Sequence, residues 1–286
     1  MTDRFVATSA GALLDLLARH FTTWSRNTLR QRLRLGCIEV NGTTASRHDQ
    51  PLQAGDVVEI HAKGEGRVAK QVAPGLPVLF ADDDLIAIDK PAGLLSVSTD
   101  DERQRTALAI VRTSVSLPGR PAALWPVHRL DRETSGVLLF ARSRDVGDRV
   151  QVDWAMTEKF YAAIVEGRPD PPAGTIERPL WEDKNLRVHV GDHEDARPAC
   201  TRYTTVAMGR DRSRLEVMLE TGRKHQIRAH FAWLGHPVVG DERYGTRASR
   251  LCLHAQRLVL RHPRTGEPLR LEAPVPTALL AELGAP

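Results

Sequence analysis

Apolar residues recur at helical spacing near the start of the chain and then give way to short strand-like runs. Leucines at positions 13, 14, 16 and 17 share one face of a helix within residues 11–20. In the next segment, WSRNTLRQRLRLG, Ser25 can cap a second helix that ends near Gly36. A short run from Cys37 to Val40 then reaches an Asn-Gly pair, which favours a tight hairpin turn. The pattern predicts two helices followed by a strand and a turn.

Strands dominate the longer second part of the chain, and a few amphipathic helices interrupt them. The clearest strand is Val137 to Ala141, a short apolar run that suits a buried position. Similar runs or alternating patterns predict further strands at residues 85–89, 160–165 and 215–219. Spacings of three and four residues predict helices at residues 106–114, 145–157 and 224–234. This mixture of strands and helices predicts an α+β fold, in which helices pack on a mixed sheet.

A segment rich in glycine, proline and charge separates the two parts. The stretch KGEGRVAKQVAPGLP, Lys63 to Pro77, shows little apolar periodicity and is typical of a linker. At 286 residues the chain is long enough for two domains. We therefore predict a small α/β domain at residues 1–65, a linker at residues 66–77 and a larger domain at residues 78–286.

Composition and charge narrow the class of protein. A hydrophobic content of 41% with 27% charged residues is typical of a soluble globular protein, and the net charge of +4 fits a polyanionic partner. The three cysteines are widely separated, so neither a disulfide framework nor a zinc site is indicated. The first residues lack the pattern of a secretory signal, and no apolar run approaches the length of a membrane span. We expect a cytoplasmic protein.

The second predicted helix carries a row of arginines. Three of them recur every fourth residue and share one face, and a fourth, Arg32, lies at its edge. The three are Arg26, Arg30 and Arg34. No acidic residue occurs between Phe21 and Gly36, so the face repels itself unless an anion is bound. We expect these arginines to bind phosphates of a nucleic acid, and the alternative is an ordinary solvated helix face.

The strongest candidate for chemistry is the stretch HRLDRETSG, residues 128–136. It places one carboxylate, Asp131, between Arg129 and Arg132, on a polar turn that leads into the buried strand at 137–141. Flanking cations favour the ionised carboxylate, which suits a nucleophile or a general base at neutral pH. By itself, the motif is also compatible with an aspartate that only stabilises a turn.

Several further segments, in order along the chain, resemble those of RNA pseudouridine synthases of the RluA type. The HRLDRETSG stretch resembles the signature of that family, and the match continues over about two thirds of the chain. The other matching segments are DDDLIAIDKPAGLLSV, KFYAAIVEG, TGRKHQIRAH, LGHPVVGDERYG and LHAQRLVLRHP. The N-terminal part resembles a small RNA-binding module named after a protein of the small ribosomal subunit.

The resemblance implies a pseudouridine synthase fold, a curved and mainly antiparallel sheet with a cleft across its middle. It implies that Asp131 is the catalytic aspartate and that Arg228 is its basic partner. It implies that Tyr161 stacks on the target base and can reach the reacting ring as a proton acceptor. It also implies that Arg129 fills the space left by a flipped nucleotide and that Leu253 packs against the pocket. The alternatives are a core tyrosine, a surface arginine at 228 and a plain core leucine.

The implied reaction breaks the bond from ribose to the uracil nitrogen and remakes it to carbon 5. Because no atoms are gained or lost, we expect no cofactor and no metal. The implied partner is RNA; the N-terminal module favours ribosomal RNA, and transfer RNA is the alternative. A non-catalytic RNA-binding or assembly protein is a further alternative. We expect a monomer without a membrane or DNA partner.

Overall fold

The computed structural model describes residues 3–34, 37–45, 47–60, 71–73, 75–98, 105–116 and 121–284. Its strands are β1 (Asp3–Val6), β2 (Gly11–Ala12), β3 (Ile38–Val40), β4 (Thr43–Thr44), β5 (Pro51–Leu52), β6 (Val57–Ile60), β7 (Gln71–Ala73), β8 (Leu76–Ala81), β9 (Leu85–Lys90), β10 (Trp125–Pro126), β11 (Ser135–Ala141), β12 (Glu158–Glu166), β13 (Ala173–Glu177), β14 (Leu180–Glu182), β15 (Val188–Val190), β16 (Cys200–Met208), β17 (Arg212–Leu219), β18 (Leu253–Arg261) and β19 (Pro268–Glu272). Its helices are α1 (Leu13–His20), α2 (Arg26–Arg34), α3 (Ala107–Val115), α4 (Arg144–Val152), α5 (Gln226–Trp233) and α6 (Thr277–Ala281).

The N-terminal part forms its own small sheet and hydrophobic cluster. The sheet has the order β1-β6-β3-β4, and the leucines of α1 and α2 pack on it with Ile38, Val58 and Ile60. The Ser25 hydroxyl accepts the Thr28 backbone N–H at 3.1 Å, as expected of a residue that caps a helix. The predicted order of helix, helix, strand and turn is therefore confirmed within residues 3–60.

The second part is built on one large mixed sheet. Its strands follow the order β13-β16-β17-β12-β18-β11-β9-β8-β7, with β10 beside β11 and β19 beside β18. The β11–β18 pair is parallel, and the other pairs described in this sheet are antiparallel. Helices pack against the sheet and bury its apolar side chains. The predicted α+β class and the mainly antiparallel sheet are confirmed.

The three helices predicted in this part are present, although their ends differ from the predictions. Helix α3 starts after Thr106 and α4 starts after Ser143, and each hydroxyl accepts a backbone N–H at 3.2 Å. Helix α4 ends at Val152, and a short 3-10 helix continues to Met156.

Among the described residues, no helix has both the length and the apolar character that crossing a membrane requires.

The predicted linker is too long at its C-terminal end. Residues 61–70 lie outside the described residues, but β7 and β8 form a hairpin that extends the large sheet from Gln71 onward. Leu76 is 2% exposed and belongs to the core, and Gly75 has a positive φ of 78° in the hairpin turn. Gly75, one of the residues that indicated a linker, marks a turn between two strands here. The proposed division into domains stays a prediction.

The parallel β11–β18 pair joins the two halves of the large sheet. Ser135 lies opposite His254 and Gly136 opposite Ala255. Gly136 has a φ of 113°, and a Cβ atom there would overlap the Ala255 carbonyl oxygen. Only glycine therefore allows the two backbones to approach this closely. This junction brings the loop before β11 next to β12 and β18, where the candidate site lies.

We predict that Gly136→Ala lowers the free energy of unfolding by more than about 2 kcal/mol, because it adds both backbone strain and a clash. Chemical denaturation followed by circular dichroism measures the change. Gly147→Ala, within helix α4, is the matched control, because its new Cβ would make an ordinary contact 3.6 Å from Ala141 Cβ. The free energy of unfolding of the control should be unchanged or higher by up to about 1 kcal/mol. Equal stability of the two variants would contradict the proposed close approach.

Candidate active site

A cleft of about 210 Å³ lies where the two halves of the large sheet meet. Its walls come from the loop before β11, from β12 and β18, and from the start of α5. Five of the residues singled out from the sequence line it. They are Arg129, Asp131, Tyr161, Arg228 and Leu253. The structure thus brings together side chains that lie up to 124 positions apart, from residue 129 to residue 253.

Of the three N-terminal arginines, Arg26 and Arg30 do not line this cleft. Arg26 and Arg30 are exposed on α2, whereas the side chain of Arg34 lies outside what the structure describes. Arg26 donates to Asp15 of helix α1 at 2.8 Å. The prediction that the arginine face is unopposed by acids is therefore wrong at Arg26, because the neighbouring helix supplies one. Arg32 stacks on Trp24, with its guanidinium carbon 4.0 Å from the ring centre.

A buried lysine fixes one side of the loop that carries Asp131. Lys90, at the end of β9, is 0% exposed, and its ammonium group donates to three backbone carbonyl groups. The acceptors are Pro91 at 2.9 Å, Leu94 at 2.7 Å and Arg132 at 3.0 Å. Burial lowers the pKa of Lys90 to about 8, although nearby carboxylates including Asp131 oppose the shift. Lys90 therefore ties the turn after β9 to the residue that follows Asp131.

Ser96 adds a second connection between the same two loops. Its hydroxyl donates to the Leu130 carbonyl at 2.8 Å and accepts the Leu130 N–H at 3.0 Å. The Gly93 N–H donates to the Arg132 carbonyl at 2.9 Å. The backbone on both sides of Asp131 is thus hydrogen-bonded to residues 93–96. Sequence reasoning missed Lys90 and Ser96; the available signal was a lysine at the end of an apolar strand, followed by a Pro-Ala-Gly turn.

Arg228 projects from α5 into the cleft and contacts Asp131. Its Nη1 donates to Asp131 Oδ2 at 3.1 Å, and the two side chains are 12% and 27% exposed. The Oδ1 atom of Asp131 accepts no hydrogen bond from the described residues. One carboxylate oxygen is therefore held, and the other faces the cleft without a protein donor.

A second carboxylate, Asp241, holds the other side of the Arg228 guanidinium. Arg228 Nε donates to Asp241 Oδ2 at 2.7 Å and Nη2 donates to Asp241 Oδ1 at 2.8 Å. Asp241 is 0% exposed and also accepts the backbone N–H groups of Arg243 and Tyr244. Burial by itself would lower the pKa of Arg228, but the bonds to Asp241 and the charge of Asp131 raise it overall. The sequence signal for Asp241 was an aspartate directly after the apolar run PVVG.

His225 lies immediately before α5 and also faces Asp131. Its Nε2 is 3.8 Å from Asp131 Oδ2, and its Nδ1 is 2.9 Å from the Tyr244 hydroxyl. Burial lowers the pKa of His225 to about 4, and the positive charges of Arg228 and Lys224 act in the same direction against the charge of Asp131. His225 is therefore neutral at neutral pH.

Tyr161 forms part of the wall opposite α5. It lies on β12 between β17 and β18, and its half-buried ring packs against the apolar clusters of both halves of the sheet. Burial and the negative charge of Asp131 raise the pKa of Tyr161. The phenol is therefore neutral, and its ring offers an apolar surface beside the carboxylate.

A second groove of about 230 Å³ meets the cleft at Asp131. Arg129, Lys224, His225 and Arg228 line both grooves, so Asp131 lies where the two meet. Arg129 is exposed where the two grooves meet, which we call the mouth of the cleft. Lys224 pairs with Glu182 of β14. The arrangement of cations around an open path fits an extended, negatively charged substrate.

Two groups of acids and histidines in the described residues have distances that could suit a metal ion, and neither lines the cleft. One group consists of Asp82, Asp84 and His262. Its carboxylates already have partners in the protein, because the guanidinium of Arg264 donates through Nε to Asp84 at 2.5 Å. His262 donates to Asp82 at 2.7 Å. The other group, residues 193–195, is exposed. The expectation that catalysis needs no metal or cofactor stays a prediction.

The geometry defines what the cleft can do. A partly buried carboxylate with one free oxygen can attack carbon or accept a proton. The cleft is smaller than the roughly 300–1,000 Å³ of pockets for drug-sized ligands, so it suits one planar ring beside Tyr161 rather than a larger molecule. Leu253 is 4% exposed and closes the apolar side of the cleft. These roles of the lining residues stay predictions.

Comparison with known proteins identifies a family. The family described as RNA pseudouridylate synthase matches residues 84–233, which include Asp131, Tyr161 and Arg228. A protein of Vibrio cholerae named ribosomal large subunit pseudouridine synthase D is 31% identical, and the match covers 96% of this chain and 91% of that protein. A protein of the same name from Xanthomonas campestris is 34% identical over 95% of this chain and 88% of that protein.

The fold agrees with the sequence match. The solved structure of human RNA pseudouridylate synthase domain containing 4 superposes with a TM-score of 0.61 and 25% identity, covering 72% of this chain and 91% of that one. The fold implied by the sequence resemblance is therefore confirmed. On the strength of the family match, of relatives similar over nearly their whole length and of this shared fold, the chain belongs to the RNA pseudouridylate synthase family, as an enzyme of the RluA type.

Proposed function

We propose that this enzyme converts specific uridines of ribosomal RNA to pseudouridine. The observation that carries the proposal is Asp131, which lies at the meeting point of two grooves with one oxygen bound by Arg228 and the other free. Relatives that match most of the chain are named for the large ribosomal subunit, which favours ribosomal over transfer RNA as the substrate.

The reaction requires one bond to break and another to form on the same nucleotide. The bond from ribose C1′ to uracil N1 breaks, the base turns, and C1′ joins to uracil C5, which then loses its proton to N1 or to solvent. Asp131 serves this sequence either as a nucleophile or as a base, and its ionised form is needed for both. Arg228 Nη1 donates to one oxygen of that carboxylate at 3.1 Å and so holds it in place.

The other lining residues position the nucleotide. We assign Tyr161 to the face of the uracil ring, where its neutral phenol can stack without competing for a proton. Leu253 closes the apolar side of the same slot. Arg129, exposed at the mouth, would occupy the space that the nucleotide leaves when it turns out of its helix.

We further propose that residues 1–65 form an RNA-binding domain. Their described part has a sheet and a hydrophobic cluster of its own, as expected of a separate unit. Arg26 and Arg30 are exposed on α2 and can reach phosphates. The same role for Arg34 rests on its spacing in the sequence. The Arg26–Asp15 pair does not prevent this, because both side chains are at least half exposed and such a pair contributes little.

The remaining expectations follow from an RNA substrate. We place the enzyme in the cytoplasm and expect it to act as a monomer, without a DNA or membrane partner and without a cofactor. The expectation of no cofactor rests on the reaction, which is an isomerisation, and the basic net charge of +4 fits the RNA partner.

We predict that Asp131→Asn reduces turnover to less than about one thousandth of the wild-type value, because the amide can neither attack nor accept the proton. Tritium release from ribosomal RNA labelled at uracil carbon 5 measures turnover. RNA affinity should stay within about tenfold, roughly 1.4 kcal/mol. Asp148→Asn, an exposed aspartate on α4 with a 73% exposed side chain, is the control and should keep full activity.

The same variant gives a test of the substrate. Pseudouridine mapped at single-nucleotide resolution in a deletion strain complemented with wild-type or Asp131→Asn protein should differ at one or a few ribosomal RNA positions. Differences confined to transfer RNA would replace the proposed substrate. Substantial turnover by the Asp131→Asn variant would contradict the role of Asp131.

For the N-terminal domain, we predict that replacing all three arginines with alanine weakens RNA binding and flattens its salt dependence. The variant is Arg26→Ala, Arg30→Ala and Arg34→Ala. The slope of log affinity against log salt should fall by about one for each lost phosphate contact. A control with three exposed arginines from the second part should lower the slope less: Arg144→Ala, Arg247→Ala and Arg270→Ala. An unchanged slope in the variant without Arg26, Arg30 and Arg34 would show that these arginines are solvated and contact no phosphate.

A further inference from the structure

The backbone of His225 adopts a conformation that a residue of this type rarely takes. Its φ is 52° and its ψ is 19°, in the left-handed region, directly before the first residue of α5. Residues with a Cβ atom seldom adopt this region, because the side chain comes close to the backbone. The rest of the structure therefore has to hold His225 in place, as strained residues at functional sites commonly are held.

The Tyr244 hydroxyl determines which nitrogen of His225 carries the proton. That hydroxyl accepts the Val188 backbone N–H at 3.1 Å and lies 2.9 Å from His225 Nδ1. If the phenol donates its own proton to Nδ1, the neutral imidazole carries its hydrogen on Nε2. In the opposite tautomer, a lone pair on Nε2 would face the Asp131 carboxylate across 3.8 Å. Repulsion between them favours the first arrangement.

The groups that surround the ring keep it neutral. Arg228 and Lys224 lie near it on α5 and the preceding turn, and Arg243 lies near it on the loop that carries Tyr244. Asp131 opposes them from the loop before β11, but the side chain of His225 is only 11% exposed. Burial and three cations therefore disfavour a second proton. A neutral histidine here is a hydrogen-bond donor of fixed direction and not an acid.

The two oxygens of Asp131 are not equivalent. Oδ2 accepts Arg228 Nη1 at 3.1 Å and is also the atom nearest to His225 Nε2. A separation of 3.8 Å is too long for a hydrogen bond, but such contacts often shorten when substrate enters an active site. Arg228 cannot turn away, because Asp241 binds its other nitrogens. A shift of the His225 ring or of the carboxylate would be needed to bring the two atoms within hydrogen-bond distance.

We propose that His225 is a positioning residue that presents a neutral Nε2–H to Asp131 Oδ2, so that Arg228 and His225 together leave Oδ1 as the oxygen that reacts. The inference rests on the proposed function, since it concerns the same carboxylate. It adds His225 and Tyr244 to the groups on which turnover depends, although neither side chain needs to touch the RNA.

A competing interpretation gives His225 a purely structural role. In that interpretation the contact of Nδ1 with Tyr244 anchors the start of α5, and Nε2 does not contribute to turnover. The two interpretations require different nitrogen atoms, and two substitutions separate them. The amide nitrogen of glutamine can take the place of Nε2, whereas that of asparagine takes the place of Nδ1 and also tolerates a positive φ.

We predict that His225→Gln retains turnover within about threefold, whereas His225→Asn lowers kcat by about tenfold or more, the value of one hydrogen bond to a charged group. The loss in His225→Asn should fall mainly on kcat rather than on the KM for RNA, because the proposed hydrogen bond of His225 is to Asp131. Thermal unfolding of the two variants checks that both fold. The opposite ranking, with asparagine active and glutamine impaired, would overturn the proposal in favour of the anchor, and so would two equally active variants.

The tautomer gives a second readout that does not depend on activity. In nitrogen-15 NMR spectra of the wild-type protein, the His225 signals, assigned by their loss in His225→Gln, should show a protonated Nε2 and an unprotonated Nδ1 at pH 7. In Tyr244→Phe that preference should weaken or reverse. A protonated Nδ1 in the wild type would contradict the proposal. If the wild type forms no pseudouridine, the proposed function fails, while the tautomer result still stands or falls separately.

Discussion

One guanidinium group, that of Arg228, binds both the cleft carboxylate Asp131 and the buried carboxylate Asp241. It binds the fully buried Asp241 through two nitrogens and Asp131 through the third. Two carboxylates this close would repel each other and would be costly to remove from water without a cation between them. A lysine could supply the charge but not three donors with fixed directions. Asp241 thus fixes the arginine, and the arginine fixes Asp131.

The loop of Asp131 is held from its other side by backbone contacts. Lys90 and Ser96, which lie at the end of β9 and in the turn after it, bind carbonyl and amide groups of residues 130 and 132. Immediately afterwards the chain enters β11, whose close approach to β18 requires Gly136. The carboxylate is therefore positioned through Arg228 on one side and through its own loop on the other, and this precision is what a reaction on a single nucleotide needs.

Sequence reasoning identified the parts of the site that lie in continuous motifs. Asp131 and Arg228 stood out in their strings, and the structure places them in contact. It missed Asp241 and Lys90, because their importance comes from partners that are distant in sequence. In the sequence alone, a buried charged residue cannot be distinguished from an exposed one. The fold class followed from the apolar pattern, but the stretch 71–77 was mistaken for linker because turn residues also punctuate hairpins.

We expect Asp241 to act on turnover only through Arg228. A double-mutant cycle on single-turnover rates tests it, with Arg228→Met, Asp241→Asn and both changes together, each checked for folding by circular dichroism. Each single variant should be slow, and the double variant should be no slower than Arg228→Met, because Asp241 has nothing left to position. Losses that multiply in the double variant would show that Asp241 acts independently and would contradict the account.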